Sequence, residues 1–131
     1  GRTCVATYSR LHLIRPYGFE ITDKRVKRAG LDYWGDLEIC EHASFDDWCN
    51  GLDQHARVFF FSARAKASLY DLTLKPGDYL VFGEEAAGLP ESIKRRFEEQ
   101  LVKIPFPGKV RSFNLSNAVA MALGEGIRQL S

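Results

Sequence analysis

The sequence lacks long apolar runs, has few cysteines and carries almost no excess charge, and each lack removes a class of function. No stretch approaches the roughly 18 continuous apolar residues that a membrane span needs. No signal-peptide pattern opens the chain, so we expect a cytoplasmic protein without a membrane partner. The formal net charge of +1 argues neither for nor against an acidic partner.

Cysteine and histidine are both scarce. The three cysteines, Cys4, Cys40 and Cys49, show no CxxC pairing, which is typical of free thiols in a reducing compartment. The three histidines are His12, His42 and His55. Their wide separation matches no metal-ligand spacing, so we expect no bound metal. The chain also lacks GxGxxG and the phosphate-binding P-loop, so no motif favours a dinucleotide or NTPase function.

Apolar residues are numerous enough for a core. With 131 residues, of which 45% are hydrophobic, the chain fits a single globular domain spanning residues 1–131. Apolar runs alternate with helix-like segments, which predicts an α/β fold with a mostly parallel sheet flanked by helices. The predicted strands are Leu11–Ile14, Leu37–Cys40, Val58–Phe61, Tyr79–Phe82 and Leu101–Ile104. Helices are predicted after Ser44, from Pro90, and through Ala118–Leu130.

Three loops follow three of the apolar strands. They begin after Phe61, at Gly83 and at Ile104. Because the carboxyl ends of parallel strands share one edge of a sheet, these loops could converge on a ligand. Gly83 and Gly88 either let the backbone approach that ligand closely or serve ordinary turns, and the sequence leaves both readings open.

The third loop, residues 104–119, has the most distinctive pattern. Pro105 and Pro107 stop the preceding strand, and a helix is predicted to restart near residues 114–117. Polar side chains gather at the start of that helix, where unpaired N–H groups are exposed: Arg111, Ser112, Asn114, Ser116 and Asn117. Such strand-to-helix junctions are where α/β proteins bind nucleotide-like ligands.

Two clusters of basic residues stand out in the sequence. Lys24, Lys27 and Arg28 would share one face of a helix, and a second cluster comprises residues 94–96. Taken alone, each cluster is more typical of a solvated helix face than of a nucleic-acid contact.

Several motifs resemble a known family when they are read together. FGEEAAGLP, followed by IP and then RSFNLSNAV, is similar to motifs two and three of the SPOUT superfamily of RNA methyltransferases. Within it, the tRNA (cytidine/uridine-34) ribose 2′-O-methyltransferases also match RTCVAT, RLHLIRPYGF and DKRVKRAGLDYW. The resemblance covers nearly the whole chain, in the family's order and approximate spacing.

This resemblance implies a fold, a cofactor and partners. The implied fold is an α/β sheet whose C-terminal part threads into a deep trefoil knot, an exception to the rule that chains do not thread loops. The knot of the family cradles S-adenosylmethionine, and the active unit is a homodimer. The implied substrate is tRNA, and the implied reaction is methylation of the ribose 2′-OH at the wobble nucleotide.

Site residues can be carried over from the resemblance position by position. The cofactor contacts would be Phe61, Gly83, Ile104 and Ser112, with Leu89 and Leu115 walling the adenine pocket. Arg2 would be the catalytic arginine, supported by Asn114, and Glu85 would fix the arginine or, equally well, only its own loop. The RNA-binding residues would be Lys24, Lys27, Arg28 and Arg111.

The N-terminus departs from the family pattern. Only Gly1 and Arg2 remain of the family's first motif, so we expect an incomplete N-terminus or an upstream segment outside this sequence. Two alternatives to the tRNA enzyme therefore stay open. One is a catalytically silent domain that binds cofactor or RNA, and the other is a ribosomal RNA 2′-O-methyltransferase.

Overall fold

The computed structural model describes residues 10–14, 39–83, 88–105 and 115–130. Its contacts divide the chain into two compact units, Gly1–Gln54 and His55–Ser131. The prediction of a single domain over residues 1–131 stays a prediction. Within the described ranges, no helix is long and apolar enough to cross a membrane.

The first unit contains a pair of parallel strands. Strand β1, Leu11–Ile14, pairs with β2, Ile39–His42, in the register Leu11–Ile39 to Ile14–His42. The prediction of β1 is confirmed, whereas β2 extends two residues beyond the predicted end at Cys40. The extension places His42 beside His12, and His12 Nδ1 lies 2.9 Å from His42 Nε2.

Helix α1, Phe45–Asn50, follows β2 and begins as the sequence predicts. The hydroxyl of Ser44 accepts a hydrogen bond from the N–H of Asp47 at 3.1 Å, which satisfies a donor of the first helical turn. Trp48 is the buried residue of this helix and packs against the ring of Phe45. Gly51 ends the helix.

The second unit is built on a sheet of four parallel strands. These are β3 (Val58–Phe61), β4 (Ala67–Ser68), β5 (Tyr79–Val81) and β6 (Leu101–Lys103), in the order β4-β6-β3-β5. The unbroken run of valine and phenylalanine in β3 is typical of a central strand in a parallel sheet, because the crossover segments pack on both faces of such a sheet. Phe60 is 1% exposed and Val102 of β6 is equally buried.

A tight turn leads into β5. Pro76 and Gly77 occupy its two central positions, and Gly77 has a φ of 89°, a conformation that glycine adopts without steric cost. The carboxylate of Asp78 accepts a hydrogen bond from the N–H of Lys75 at 2.8 Å. It also lies 3.4 Å from Nε of Arg57, which immediately precedes β3. The turn therefore anchors the amino ends of β3 and β5 to each other.

The described part of the second unit also contains two α-helices and two short 3-10 helices, Leu69–Asp71 and Glu98–Gln100. Helix α2, Glu91–Arg96, starts after Pro90 as predicted, and α3, Leu115–Leu130, is the longest described helix. Ala122 of α3 is fully buried in one cluster with Leu69, Leu74 and Val102.

A polar network joins α3 to the segment before β5. The side-chain amide of Gln129 donates to the carbonyl of Leu72 at 2.9 Å, and its oxygen accepts from the N–H of Leu74 at 2.7 Å. The same amide donates to Glu125, whose carboxylate also accepts two hydrogen bonds from Arg128. These hydrogen bonds hold the pKa of Glu125 down at about 2, with the bond from Arg128 the largest cause and the bond from Gln129 the next.

Candidate functional site

The carboxyl ends of three neighbouring strands lie at one edge of the four-stranded sheet. Phe61 ends β3 and pairs with Val102 of β6, and the N–H of Ser62 continues that ladder by donating to Val102 at 2.9 Å. On the other side of β3, Phe60 pairs with Val81, so Phe82 emerges directly beside Phe61. The prediction that the loops after these strands start from a common edge is confirmed.

Aromatic rings cover this edge. The rings of Phe61 and Phe82 stack with their centroids 4.6 Å apart and their planes 11° from parallel. Ile104, immediately after β6, packs against the same cluster. Phe61 belongs to the buried core, so the apolar surface left at this edge comes from the half-buried side chains of Phe82 and Ile104.

The two glycines of the second loop are required for different reasons. A Cβ on Gly83 would lie 2.2 Å from the carbonyl carbon of Gly88, 2.3 Å from the nitrogen of Leu89 and 2.5 Å from the oxygen of Gly88. Gly83 is therefore needed because another stretch of backbone lies against it. Gly88 has a φ of 69°, so it is needed for a left-handed turn. Leu89, the next residue, is buried.

A group of charged side chains lies beside these loops. Glu91, the first residue of α2, accepts from Lys94 Nζ at 2.9 Å, and its Oε1 lies 3.8 Å from Nη1 of Arg64 in the loop after β3. The hydrogen bond from Lys94 is the main cause that lowers the pKa of Glu91, and the positive charges of Lys94, Arg64 and Arg95 act in the same direction.

Five of the residues predicted to bind a cofactor lie within the described ranges. Phe61 and Ile104 share one apolar cluster, whereas Gly83 and Leu89 meet through the backbone. Leu115 is the half-buried first residue of α3. The other predicted site residues lie outside the described ranges: Arg2, Lys24, Lys27, Arg28, Glu85, Arg111, Ser112 and Asn114. The roles of both groups stay predictions.

The sequence places Lys94 in a basic cluster, residues 94–96, but does not predict its grouping with Glu91 and Arg64. Its signal was partly visible, because Glu91 and Lys94 are three residues apart in a predicted helix and so share one face. The approach of Arg64 from the loop after β3 is a tertiary contact that spacing does not reveal. In the part of the chain that the structure describes, no group of three or more histidine, cysteine or carboxylate side chains could hold a metal ion.

Comparison with known families assigns the chain. A model described as the SpoU rRNA methylase family matches residues 1–124. The protein is a member of the SpoU methylase family. The resemblance to SPOUT RNA methyltransferases that the motifs carry is thereby confirmed.

Curated relatives of this SpoU-family protein have specific names. A protein of Burkholderia ambifaria named tRNA (cytidine(34)-2'-O)-methyltransferase is 42% identical over 130 residues, covering 98% of this chain and 83% of the relative. A protein of Lactococcus lactis subsp. cremoris, named as a putative enzyme of the same activity, is 39% identical over 133 residues. That match covers 98% of this chain and 79% of the relative.

Solved structures agree with these relatives. One, described as giving structural insights into the 2-OH methylation of C/U34 on tRNA, is 50% identical with a TM-score of 0.91. The match covers 98% of this chain and 79% of the chain in that structure. A putative RNA methyltransferase from Bacillus anthracis is 37% identical with a TM-score of 0.89, covering 98% of this chain and 82% of its own. The predicted α/β fold with parallel sheets is confirmed by this agreement.

Proposed function

We propose that this SpoU-family protein transfers a methyl group from S-adenosylmethionine to the ribose 2′-oxygen of tRNA at nucleotide 34, a cytidine or uridine. The observation that carries the proposal is the 50% identity and TM-score of 0.91 to the solved structure concerned with 2-OH methylation of C/U34 on tRNA. The names of the curated relatives also favour tRNA over the alternative of ribosomal RNA.

The described edge of the sheet suits the cofactor. The half-buried side chains of Phe82 and Ile104, beside the ring of Phe61, offer apolar surface to a purine. We assign the cofactor contacts to Phe61, Gly83, Leu89 and Ile104, with Ser112 and Leu115 completing the set.

The division of chemical work follows from the two reactants. S-adenosylmethionine supplies a methyl group on a sulfonium that is already primed for displacement. A ribose 2′-OH is a poor nucleophile, so the protein must align its oxygen with the methyl carbon and ease the loss of its proton. In this proposal Asn114 and Ser112 orient the ribose, and Glu85 stabilises the conformation of its own loop.

Arg2 is assigned to the charge that develops on the 2′-oxygen. A guanidinium keeps its proton, with a pKa above about 12, so it serves as a hydrogen-bond donor rather than as a base. Donors aimed at developing negative charge stabilise a transition state more than a ground state. We expect Arg2→Ala to leave the affinity for S-adenosylmethionine nearly intact and to abolish turnover. An equal loss of both would make Arg2 a structural residue.

The remaining parts of the proposal concern assembly. Lys24, Lys27, Arg28 and Arg111 contact tRNA phosphates, the C-terminal part forms the trefoil knot, and the active unit is a cytoplasmic homodimer. The knot and the dimer rest on the resemblance of the motifs to the SPOUT superfamily. Light scattering coupled to gel filtration tests the dimer, and a monomer that retains full turnover would remove it from the proposal.

Two measurements test the function. Calorimetry with S-adenosylmethionine tests the pocket, and the absence of binding to folded protein would refute the cofactor assignment. Mass spectrometry of nucleosides then tests the reaction, using tRNA isolated from cells that lack the modification. A gain of 2′-O-methylcytidine or 2′-O-methyluridine at nucleotide 34 is the expected result. Cofactor binding without any gain would favour the catalytically silent domain.

A further inference from the structure

The charged group beside the sheet edge has more positive than negative charge. Glu91 forms an ion pair with Lys94 and lies 3.8 Å from Arg64. Arg95 follows Glu91 by four residues on the same face of α2, so three cations share this side of the helix with one carboxylate. Lys94 is the cation that Glu91 holds most closely, at 2.9 Å, and its side chain is only 17% exposed. Because the charges of Lys94 and Glu91 cancel, the two arginines account for the net positive charge of the group.

The two arginines are available to a ligand. The side chain of Arg64 is 83% exposed, and its contact with Glu91 at 3.8 Å is long for a charge-assisted hydrogen bond. Arg95 is also exposed. Arg95 lies on the same face of α2 as Glu91 because the two are four residues apart, and Arg64 lies 3.8 Å from Glu91, so both guanidinium groups are on the same side of α2.

Position distinguishes this group from an ordinary solvated helix face. Arg64 lies three residues beyond Phe61, the last residue of β3, and Glu91 lies two residues beyond Leu89. The arginines therefore flank two of the loops that the proposed function assigns to the cofactor. When a ribose of a polynucleotide lies beside the methyl donor, the phosphates on either side of that ribose must lie close to the neighbouring loops.

We propose that Arg64, which lies beside Glu91, and Arg95, which lies on the same face of α2, bind the phosphate backbone of tRNA next to the nucleotide that is methylated. The inference rests on the proposed function for the identity of the RNA. Guanidinium groups suit this role because their planar donors match phosphate oxygens in pairs and are weakly hydrated. The contact carries no base specificity and sets the position of the strand.

The test compares Arg64→Ala, Arg95→Ala and the double variant for binding to unmethylated tRNA by fluorescence anisotropy across a salt series. Each lost phosphate contact lowers the slope of log K against log salt by about 0.7, which at about 0.1 M salt corresponds to about five-fold in affinity. By the same relation, we expect the double variant to bind tRNA about 25-fold more weakly than wild type. Affinity for S-adenosylmethionine and thermal stability should stay at the wild-type level.

Lys75→Ala is the matched control. Lys75 is an exposed cation in the turn at the amino end of β5, away from the edge that carries the loops. It should change tRNA affinity by less than about two-fold, since it makes no phosphate contact in this proposal. An effect as large as that of Arg64→Ala would mean that only the total charge matters, and would overturn the inference.

Other outcomes separate this inference from the proposed function. If wild-type protein methylates tRNA and the double variant binds with unchanged affinity and salt slope, the phosphate contact is wrong and the function stands. If wild-type protein binds tRNA without methylating it, the function fails and the binding series still decides the contact. If the double variant also loses cofactor affinity, the arginines are structural. If wild-type protein does not bind tRNA, both proposals fail.

Discussion

Replacing Gly83 by alanine is the sharpest test of the site geometry. The new Cβ would lie 2.2 Å from the carbonyl carbon of Gly88, whereas ordinary contact begins at 3.4 Å. The two backbone segments must therefore separate by about 1.2 Å, and neither is a flexible side chain that can yield. Overpacking of this kind costs about 1–3 kcal/mol of folding free energy.

The same displacement should reach the reaction. Gly83 and Leu89 are both assigned to the cofactor, and a misplacement of about 1 Å at reacting groups can cost about 100-fold in rate. We expect Gly83→Ala to weaken S-adenosylmethionine binding by at least about ten-fold and turnover by about 100-fold. Urea unfolding gives the change in stability, calorimetry the change in affinity, and nucleoside mass spectrometry the change in rate.

Gly124→Ala is the control for this substitution. Gly124 lies inside α3, and a Cβ there would meet no described heavy atom within 4 Å. Alanine is the better helix former, so the variant should be more stable by about 0.5–1 kcal/mol. The reasoning is refuted if Gly83→Ala unfolds within about 0.5 kcal/mol of wild type and binds the cofactor normally, because experimental uncertainty is about that size.

Three further predictions concern the polar networks. Glu125→Gln should destabilise the protein at neutral pH, because folding favours the ionised carboxylate of Glu125. The difference in stability between wild type and variant should disappear as pH falls from 4.5, the ordinary pKa, to about 2, the pKa in the folded protein. Circular dichroism during acid titration measures this difference, and a constant difference down to pH 2 would contradict the prediction. Gln129→Ala should cost about 1–3 kcal/mol, because the half-buried N–H of Leu74 and C=O of Leu72 lose their partner; an unchanged urea midpoint would count against this. Burial is the main cause that lowers the pKa of His12 below 6.5, followed by the charges of His42 and Arg10, so stability should fall as pH drops below 6.5. Unfolding at several pH values should give a slope of unfolding free energy against pH that is weaker in His12→Gln than in wild type. Equal slopes would exclude His12 as the source of the pH dependence.

Strand positions could be read from the sequence wherever burial alone determines them. The strand Val58–Phe61 is an apolar run, and its predicted bounds match those in the structure. The strands ending at Val81 and Lys103 were each predicted one residue too long. In both cases the extra residue, Phe82 or Ile104, is apolar because it packs against the core cluster that contains Phe61 after leaving the ladder.

Other features depend on contacts that a linear pattern does not contain. Strand β4 comprises only Ala67 and Ser68, which are too few residues to show a period and which pair solely through their register with Val102 and Lys103. The second strand runs to His42 rather than Cys40, where the imidazole meets that of His12. The role of Gly83 in binding the cofactor stays a prediction, and its close approach to the backbone of Gly88 and Leu89 is a tertiary contact that the sequence does not reveal.

Sheet order has a consequence for the newly synthesised chain. Strand β3 lies between β5 and β6, and β6 begins about 40 residues after β3 ends. At roughly 5–20 residues per second, translation leaves β3 without this neighbour for roughly 2–8 seconds. During that interval an apolar strand has an open edge, which is a template for pairing with other chains. The demand for chaperones should therefore be greatest just before residue 101 emerges, and nascent chains arrested there should aggregate more readily than those arrested after Lys103.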